Sequence, residues 1–143
     1  MAIKFFTQLG LNNVVINTFN LAESYGTSGG VYSEATAKKY LADSLNTTVD
    51  KIWEYSPDGL FRVRSAQRGG SYSVSDDAFI DAQPFDSWTL SAAPDFEWLP
   101  PVSEPDPEGK PMLWNEPNLR WQRQFSADEV QYWNPDTNAW IAI

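Results

Sequence analysis

Cysteine and histidine are both absent from this chain of 143 residues. Without them the sequence offers no disulfide, no cysteine nucleophile, no Cys/His zinc site and no histidine general base. Basic residues are also scarce, because 10 Lys and Arg stand against 19 Asp and Glu, which gives a net charge of −9. Affinity for a phosphate backbone comes from Lys and Arg, so we expect no binding to nucleic acid.

Long hydrophobic runs are missing as well. No segment approaches the roughly 18 apolar residues that a membrane-spanning helix needs. The first residues lack the apolar stretch and the small-residue cleavage site of a signal peptide. We therefore expect a protein without a membrane partner.

Aromatic residues are plentiful, at 15% of the chain, and seven of them are tryptophan. The acidic residues are concentrated in one half: residues 1–70 carry six acids and seven bases, whereas residues 71–143 carry thirteen acids and three bases. Such a segment is either an exposed, soluble surface or a surface that docks against a basic partner. Both interpretations stay open on the sequence alone.

Local patterns predict antiparallel hairpins and one helix. Ser33 is a good N-cap, and apolar residues at helical spacing follow it, which predicts a helix over 33–46. Residues 2–7 and 13–19 read as two paired strands, and Ile52–Tyr55 with Leu60–Arg64 reads as a further hairpin. The fold class expected is α+β to mainly β.

An aromatic hairpin then recurs along the chain. In three copies two aromatic residues stand seven positions apart with a polar turn between them: Tyr72/Phe79, Trp114/Trp121 and Trp133/Trp140. This spacing predicts that the two rings face each other across the hairpin, where such pairs contribute about 0.2–1 kcal/mol each. A fourth hairpin is predicted from Trp88–Leu90 and Phe96–Trp98.

Five prolines fall within residues 99–111, which favours an extended backbone that serves as a linker or as an arm on a neighbouring subunit. The expected organisation is a compact β-rich domain with one helix over 1–98, a Pro-rich connector over 99–111 and a two-hairpin aromatic arm over 112–143.

Catalysis would have to come from carboxylates. The adjacent acids Asp76/Asp77, Asp106/Glu108 and Asp128/Glu129 lie in predicted turns or in the Pro-rich connector, where a solvated acid is ordinary. A glycosidase needs two carboxylates about 5–10 Å apart in a cleft, and nothing in the spacing indicates one. We expect no enzyme activity, no cofactor and no metal.

One segment resembles a known group of proteins. This segment covers residues 64–101, and the likeness runs through Gly69–Tyr72, Asp76–Ile80, Pro84-Phe85-Asp86-Ser87-Trp88-Thr89-Leu90 and Phe96-Glu97-Trp98-Leu99-Pro100-Pro101-Val102. The block Met112–Glu116, which leads to Trp121, follows it. The order of these motifs resembles that of a segment found in small virion structural proteins of bacteriophages, chiefly cyanophages and other marine phages. The helix at 33–46 and the last hairpin are not part of the pattern associated with that family.

The resemblance implies a location in the virion and carries no catalytic residues across. From it we expect a capsid decoration or cement protein that bridges subunits, or alternatively a neck, tail or baseplate accessory protein. The expected partners are other virion proteins, such as the major capsid protein, and further copies of the chain. The residues expected to make these contacts are Trp114, Trp121, Trp133, Trp140, Pro100, Pro101, Glu104 and Asp106.

A second class of function also stays open. Tryptophan faces stack on sugar rings, so a Trp-rich β domain is also typical of a module that binds glycans on a host surface. The same four tryptophans, Trp114, Trp121, Trp133 and Trp140, are the candidates for that role.

Overall fold

The computed structural model describes residues 2–126 and 128–143. These residues divide into two compact units, which lie within Met1–Ala82 with Ala92–Glu97 and within Gln83–Ser91 with Trp98–Ile143. The fold is α+β to mainly β, as predicted. In the described part of the chain, no helix has the length and apolar character needed to cross a membrane.

The N-terminal unit is built on a three-stranded antiparallel sheet and one helix. In chain order its first elements are β1 (Ile3–Leu9), β2 (Val15–Ala22), the short hairpin β3 (Thr27–Ser28) and β4 (Val31–Tyr32), helix α1 (Glu34–Leu45) and β5 (Ile52–Tyr55). The sheet order is β2-β1-β5. Short 3-10 turns occupy Leu11–Asn13, Glu23–Gly26 and Val49–Lys51.

Helix α1 begins and ends where the sequence predicts. The Ser33 side chain accepts a hydrogen bond from the Thr36 amide at 3.2 Å, which satisfies one free donor of the first turn. Asn46 adopts the left-handed conformation, with φ of 53°, and ends the helix.

The sheet has a hydrophobic cluster on each of its two faces. On one face the helix packs over the sheet, and the buried residues are Phe6, Leu21, Ala37, Leu41, Ala42 and Ile52. On the other face the hairpin of β6 (Ser71–Ser73) and β7 (Ala78–Ile80) covers it, and the buried residues are Leu9, Val15, Ala66, Tyr72 and Phe79. Alternation along β5 explains this division, because Ile52 joins the first cluster while Trp53 and Tyr55 pack on the second.

The predicted strand Leu60–Arg64 is wrong, because this segment forms an irregular loop. Arg62 and Val63 both have positive φ, at 56° and 73°, which no strand accommodates. This backbone turns the Arg62 side chain inward. Its guanidinium donates to both carboxylate oxygens of Glu34, at 2.5 and 2.8 Å, and to Asp77 at 2.8 Å.

The C-terminal unit contains a two-stranded pair and a four-stranded antiparallel meander. The pair is β8 (Thr89–Leu90) with β9 (Trp98–Leu99), and the meander runs β10 (Met112–Asn115), β11 (Arg120–Ser126), β12 (Glu129–Asn134) and β13 (Ala139–Ala142). The pair is shifted from the predicted hairpin, since Leu90 faces Trp98 and Phe96 lies outside the strand. Residues 83–91, which the sequence analysis placed in the first domain, group with this unit.

Candidate functional site

The four-stranded sheet carries a row of tryptophans on one face. Trp114 lies opposite Trp121 in the β10–β11 register, and Trp133 lies opposite Trp140 in the β12–β13 register. The β11–β12 register pairs Gln122 with Tyr132, one residue from Trp121 and Trp133, so all four rings belong to the same face. The ring centroids are 5.3 Å apart in the first pair and 5.4 Å apart in the second, both edge-to-face.

The three hairpins with the seven-residue spacing have turns of the same length, conformation and hydrogen bonding. In each hairpin, one further pair of opposed residues separates the aromatic pair from a four-residue loop. The last residue of that loop has φ of 50° in all three hairpins, and these residues are Asp77, Leu119 and Asn138. The residue before each loop accepts a backbone N–H with its side chain, and these three residues are Ser73, Asn115 and Asn134. The predicted register of all three hairpins is therefore confirmed.

The Pro-rich segment 99–111 is not a free linker, because it is hydrogen-bonded to the sheet of its own chain. It lies over the tryptophan face of its own sheet, and we call it the strap. The Trp121 indole N–H donates to the Val102 carbonyl at 2.8 Å, and that of Trp140 donates to the Asp106 carbonyl at 3.2 Å. Indole donors can use any backbone carbonyl, so a strap rich in proline still supplies acceptors.

Arg123 fastens the other end of the strap. Its Nη1 donates to the Glu108 carboxylate at 3.0 Å, and its Nε donates to Gln131 at 2.8 Å. The guanidinium also lies 4.4 Å from the Trp140 ring centroid, a cation–π contact. The arginine side chain is only 9% exposed, so this contact is part of the packing of the unit.

Trp88 and Glu116 close the first tryptophan pair. The Trp88 ring stands edge-on at 6.1 Å from Trp114 and 6.0 Å from Trp121. The Glu116 carboxylate accepts from the Trp114 indole at 2.7 Å and from the Ser87 amide and hydroxyl at 2.9 and 2.7 Å. The Trp114 hydrogen bond is the main reason that the pKa of Glu116 lies below its ordinary value, and the Ser87 bonds add to it.

The two tryptophan pairs therefore differ in exposure. Trp114 and Trp121 are each 6% exposed, so this pair is buried. Trp133 and Trp140 are partly exposed. Pro100, Pro101, Glu104 and Asp106 all belong to the strap. Pro101 and Glu104 lie near Trp133, the Asp106 carbonyl binds Trp140, and all three of these residues are exposed.

The opposite face of the sheet carries a second row. By the same registers it contains Leu113, Gln122, Tyr132 and Ile141. We call these four residues the open row. Leu113 is 54% exposed, Tyr132 and Ile141 are partly exposed, and the Arg120 guanidinium lies 4.3 Å from the Tyr132 ring centroid.

Sequence reasoning singled out the tryptophans and missed the residues that organise them. Trp88, Glu116 and Arg123 were not named as site residues, although all three hold the tryptophan face together. The signal for Arg123 was available, since it is one of three bases among the thirteen acids of residues 71–143. The open row was also missed, because its members show no periodicity beyond strand alternation.

Across the described residues, no group of three or more Cys, His, Asp or Glu side chains is arranged to hold a metal ion. Comparison with known protein families, curated proteins and solved structures finds no match for this chain.

Proposed function

We propose that this protein is a non-enzymatic structural protein of a phage virion, and specifically a capsid decoration or cement protein that bridges subunits. The observation that carries the proposal is the two-sided C-terminal sheet. Its tryptophan face is partly covered by the strap, while the open row on the other face has Leu113 more than half exposed.

A sheet of this kind can bind a neighbour in two ways. The open row offers two aliphatic side chains and a tyrosine, and aromatic residues of this kind are enriched where protein interfaces are buried. The outer strands β10 and β13 are the two edges of the sheet, and an edge can pair with a strand of another subunit through backbone hydrogen bonds. Both contacts add stability between subunits without any chemical step.

The strap makes such binding less costly. Because its carbonyls and Glu108 are already bonded to Trp121, Trp140 and Arg123, the sheet is ordered before it meets a partner. Binding then loses less conformational entropy than it would if the hairpins were mobile. The resemblance of residues 64–101 to phage virion proteins supports a partner that is another virion protein.

The proposal is tested with purified protein and particles that lack it. Leu113→Glu places a charge in the open row, and Leu11→Glu is the matched control, since Leu11 is 86% exposed and lies in the N-terminal unit. We expect co-sedimentation with particles to weaken by about tenfold or more for Leu113→Glu and to stay unchanged for Leu11→Glu. Equal binding of Leu113→Glu and the parent contradicts the role of the open row.

Averaged density of particles that have rebound the protein then tests the location. Copies spread over the capsid lattice support decoration of the shell. Copies confined to the neck, tail or baseplate contradict it and favour the accessory role instead.

A further inference from the structure

A cleft of about 380 Å³ lies between the strap and the last hairpin of the C-terminal unit. Trp133, Pro135 and Asn138 form one side, and residues 101–105 of the strap form the other. The volume falls within the range of about 300–1,000 Å³ that is common for small-molecule sites.

Trp133 differs in this respect from the first tryptophan pair. Trp114 and Trp121 are buried beneath Trp88, so their faces are not available to a ligand. Trp133 is partly exposed and lines the cleft. Trp140 is also partly exposed but does not line the cleft, so Trp133 is the one of the four candidate tryptophans that this cleft contains.

The Trp133 ring packs against a neighbour that is itself fixed. Its edge-to-face partner Trp140 is fixed by its hydrogen bond to the Asp106 carbonyl and by the Arg123 guanidinium. A ring whose neighbours are fixed loses little freedom when a ligand stacks on it.

We propose that this cleft binds one neutral pyranose residue of a surface glycan. The C–H groups on the apolar face of a pyranose match the electron-rich face of an indole. Ser103, Glu104 and Asn138 line the same cleft, and residues of these types carry donors and acceptors for sugar hydroxyl groups. Glu104 and the net charge of −9 oppose sugars that carry a carboxylate or sulfate.

The site does not depend on the proposed structural role, because the open row lies on the other face of the sheet. A protein that bridges virion subunits through the open row would leave this cleft accessible to a sugar. Failure of one proposal therefore leaves the other standing.

The test is an NMR titration of the full chain, in which the seven tryptophan indole N–H signals report separately. The probes are methyl β-galactoside and methyl β-glucoside, with N-acetylneuraminic acid as the anionic comparison, each to about 50 mM. We expect saturable shifts of the Trp133 indole and the Asn138 side-chain amide with a neutral sugar, and none with the anionic sugar. Trp114 and Trp121 should not shift.

Two variants decide the assignment. Trp133→Ala should weaken binding by about tenfold or more, and Glu104→Gln by about threefold to tenfold. Glu104 is exposed on the strap, so its variant tests the cleft even if loss of Trp133 disturbs the hairpin. Glu129→Gln is the matched control at an exposed carboxylate outside the cleft, and it should bind like the parent.

The absence of any Trp133 shift with both neutral sugars overturns the proposal. Equal affinity of Glu104→Gln and the parent also overturns it, as does stronger binding of N-acetylneuraminic acid. A proline-rich peptide that shifts the same signals while the sugars do not would assign the cleft to a peptide partner.

Discussion

Arg62 is the residue that ties the N-terminal unit together. It donates to Glu34 at the start of α1, to the Glu54 carbonyl of β5 and to Asp77 in the β6–β7 turn. Burial opposes the charge of Glu34, but the Arg62 hydrogen bonds and the Glu54 amide outweigh it and lower the pKa of Glu34. The sequence showed only alternation over 60–64, which has the period of a strand. The partner that overrides this pattern lies 28 positions away and leaves no local signal.

Replacement of Arg62 should therefore be costly. Arg62→Ala removes the charge that Glu34 and Asp77 share, and leaves the half-buried Glu34 carboxylate without its cation. We expect the free energy of unfolding to fall by about 2–4 kcal/mol in chemical denaturation. Arg68→Ala, at an exposed arginine, should change it by less than about 0.5 kcal/mol. Similar values for the two variants would mean that the Arg62 contacts contribute little to stability.

At the scale of the element, the hairpins are the most predictable part of the chain. Between two aromatic residues seven positions apart there is room for one pair of opposed residues and a four-residue turn. The spacing alone therefore places the two rings opposite each other. The strap was less predictable. Proline content indicates an extended backbone, but its course over the sheet depends on indole N–H groups that bind carbonyls of any residue type.

The three turns also reveal one position that is poorly matched to its conformation. The left-handed residue that ends the loop is Asp77 or Asn138 in two hairpins, but Leu119 in the third. Asn and Asp tolerate this conformation better than leucine does. Leu119 is 49% exposed, so its replacement changes the buried apolar area only modestly.

We therefore expect Leu119→Asn to stabilise the protein by about 0.5–1 kcal/mol, measured as a higher midpoint of thermal unfolding. The reverse change in the next hairpin, Asn138→Leu, should lower the midpoint. If Leu119→Asn lowers it instead, side-chain packing at this site outweighs backbone conformation.

At the scale of the whole molecule, the boundary between the two units does not follow the chain in a simple way. Residues 83–91 precede the Pro-rich segment, yet they belong to the C-terminal unit because Glu116 binds Ser87 and because Trp88 packs on Trp114. The amino-acid composition predicted that the Pro-rich segment 99–111 separates the two parts of the chain. It could not show that an earlier segment is held by a turn about thirty residues further on.

Deletion of residues 99–143 tests how the two units share stability and function. The N-terminal unit keeps its helix and both of its hydrophobic clusters in the remaining chain. We expect the truncated protein to retain the helical circular dichroism signal and to unfold cooperatively, while its binding to particles is lost. Normal incorporation of the truncated protein would place the contact in the N-terminal unit and contradict the proposed function.

The placement of the seven tryptophans has a spectroscopic consequence. Trp53 is the one tryptophan of the N-terminal unit, where it lies against Lys38 and Tyr72, and the other six belong to the C-terminal unit. Edge-to-face indoles couple their electronic transitions, so the pairs Trp114/Trp121 and Trp133/Trp140 should give an exciton couplet in the far-ultraviolet dichroism. That couplet would report the C-terminal sheet alone, while the emission of Trp53 in a chain whose other tryptophans are phenylalanine would follow the N-terminal unit. The parent chain therefore offers an optical reporter of the C-terminal sheet, and the Trp53-only variant offers one of the N-terminal unit.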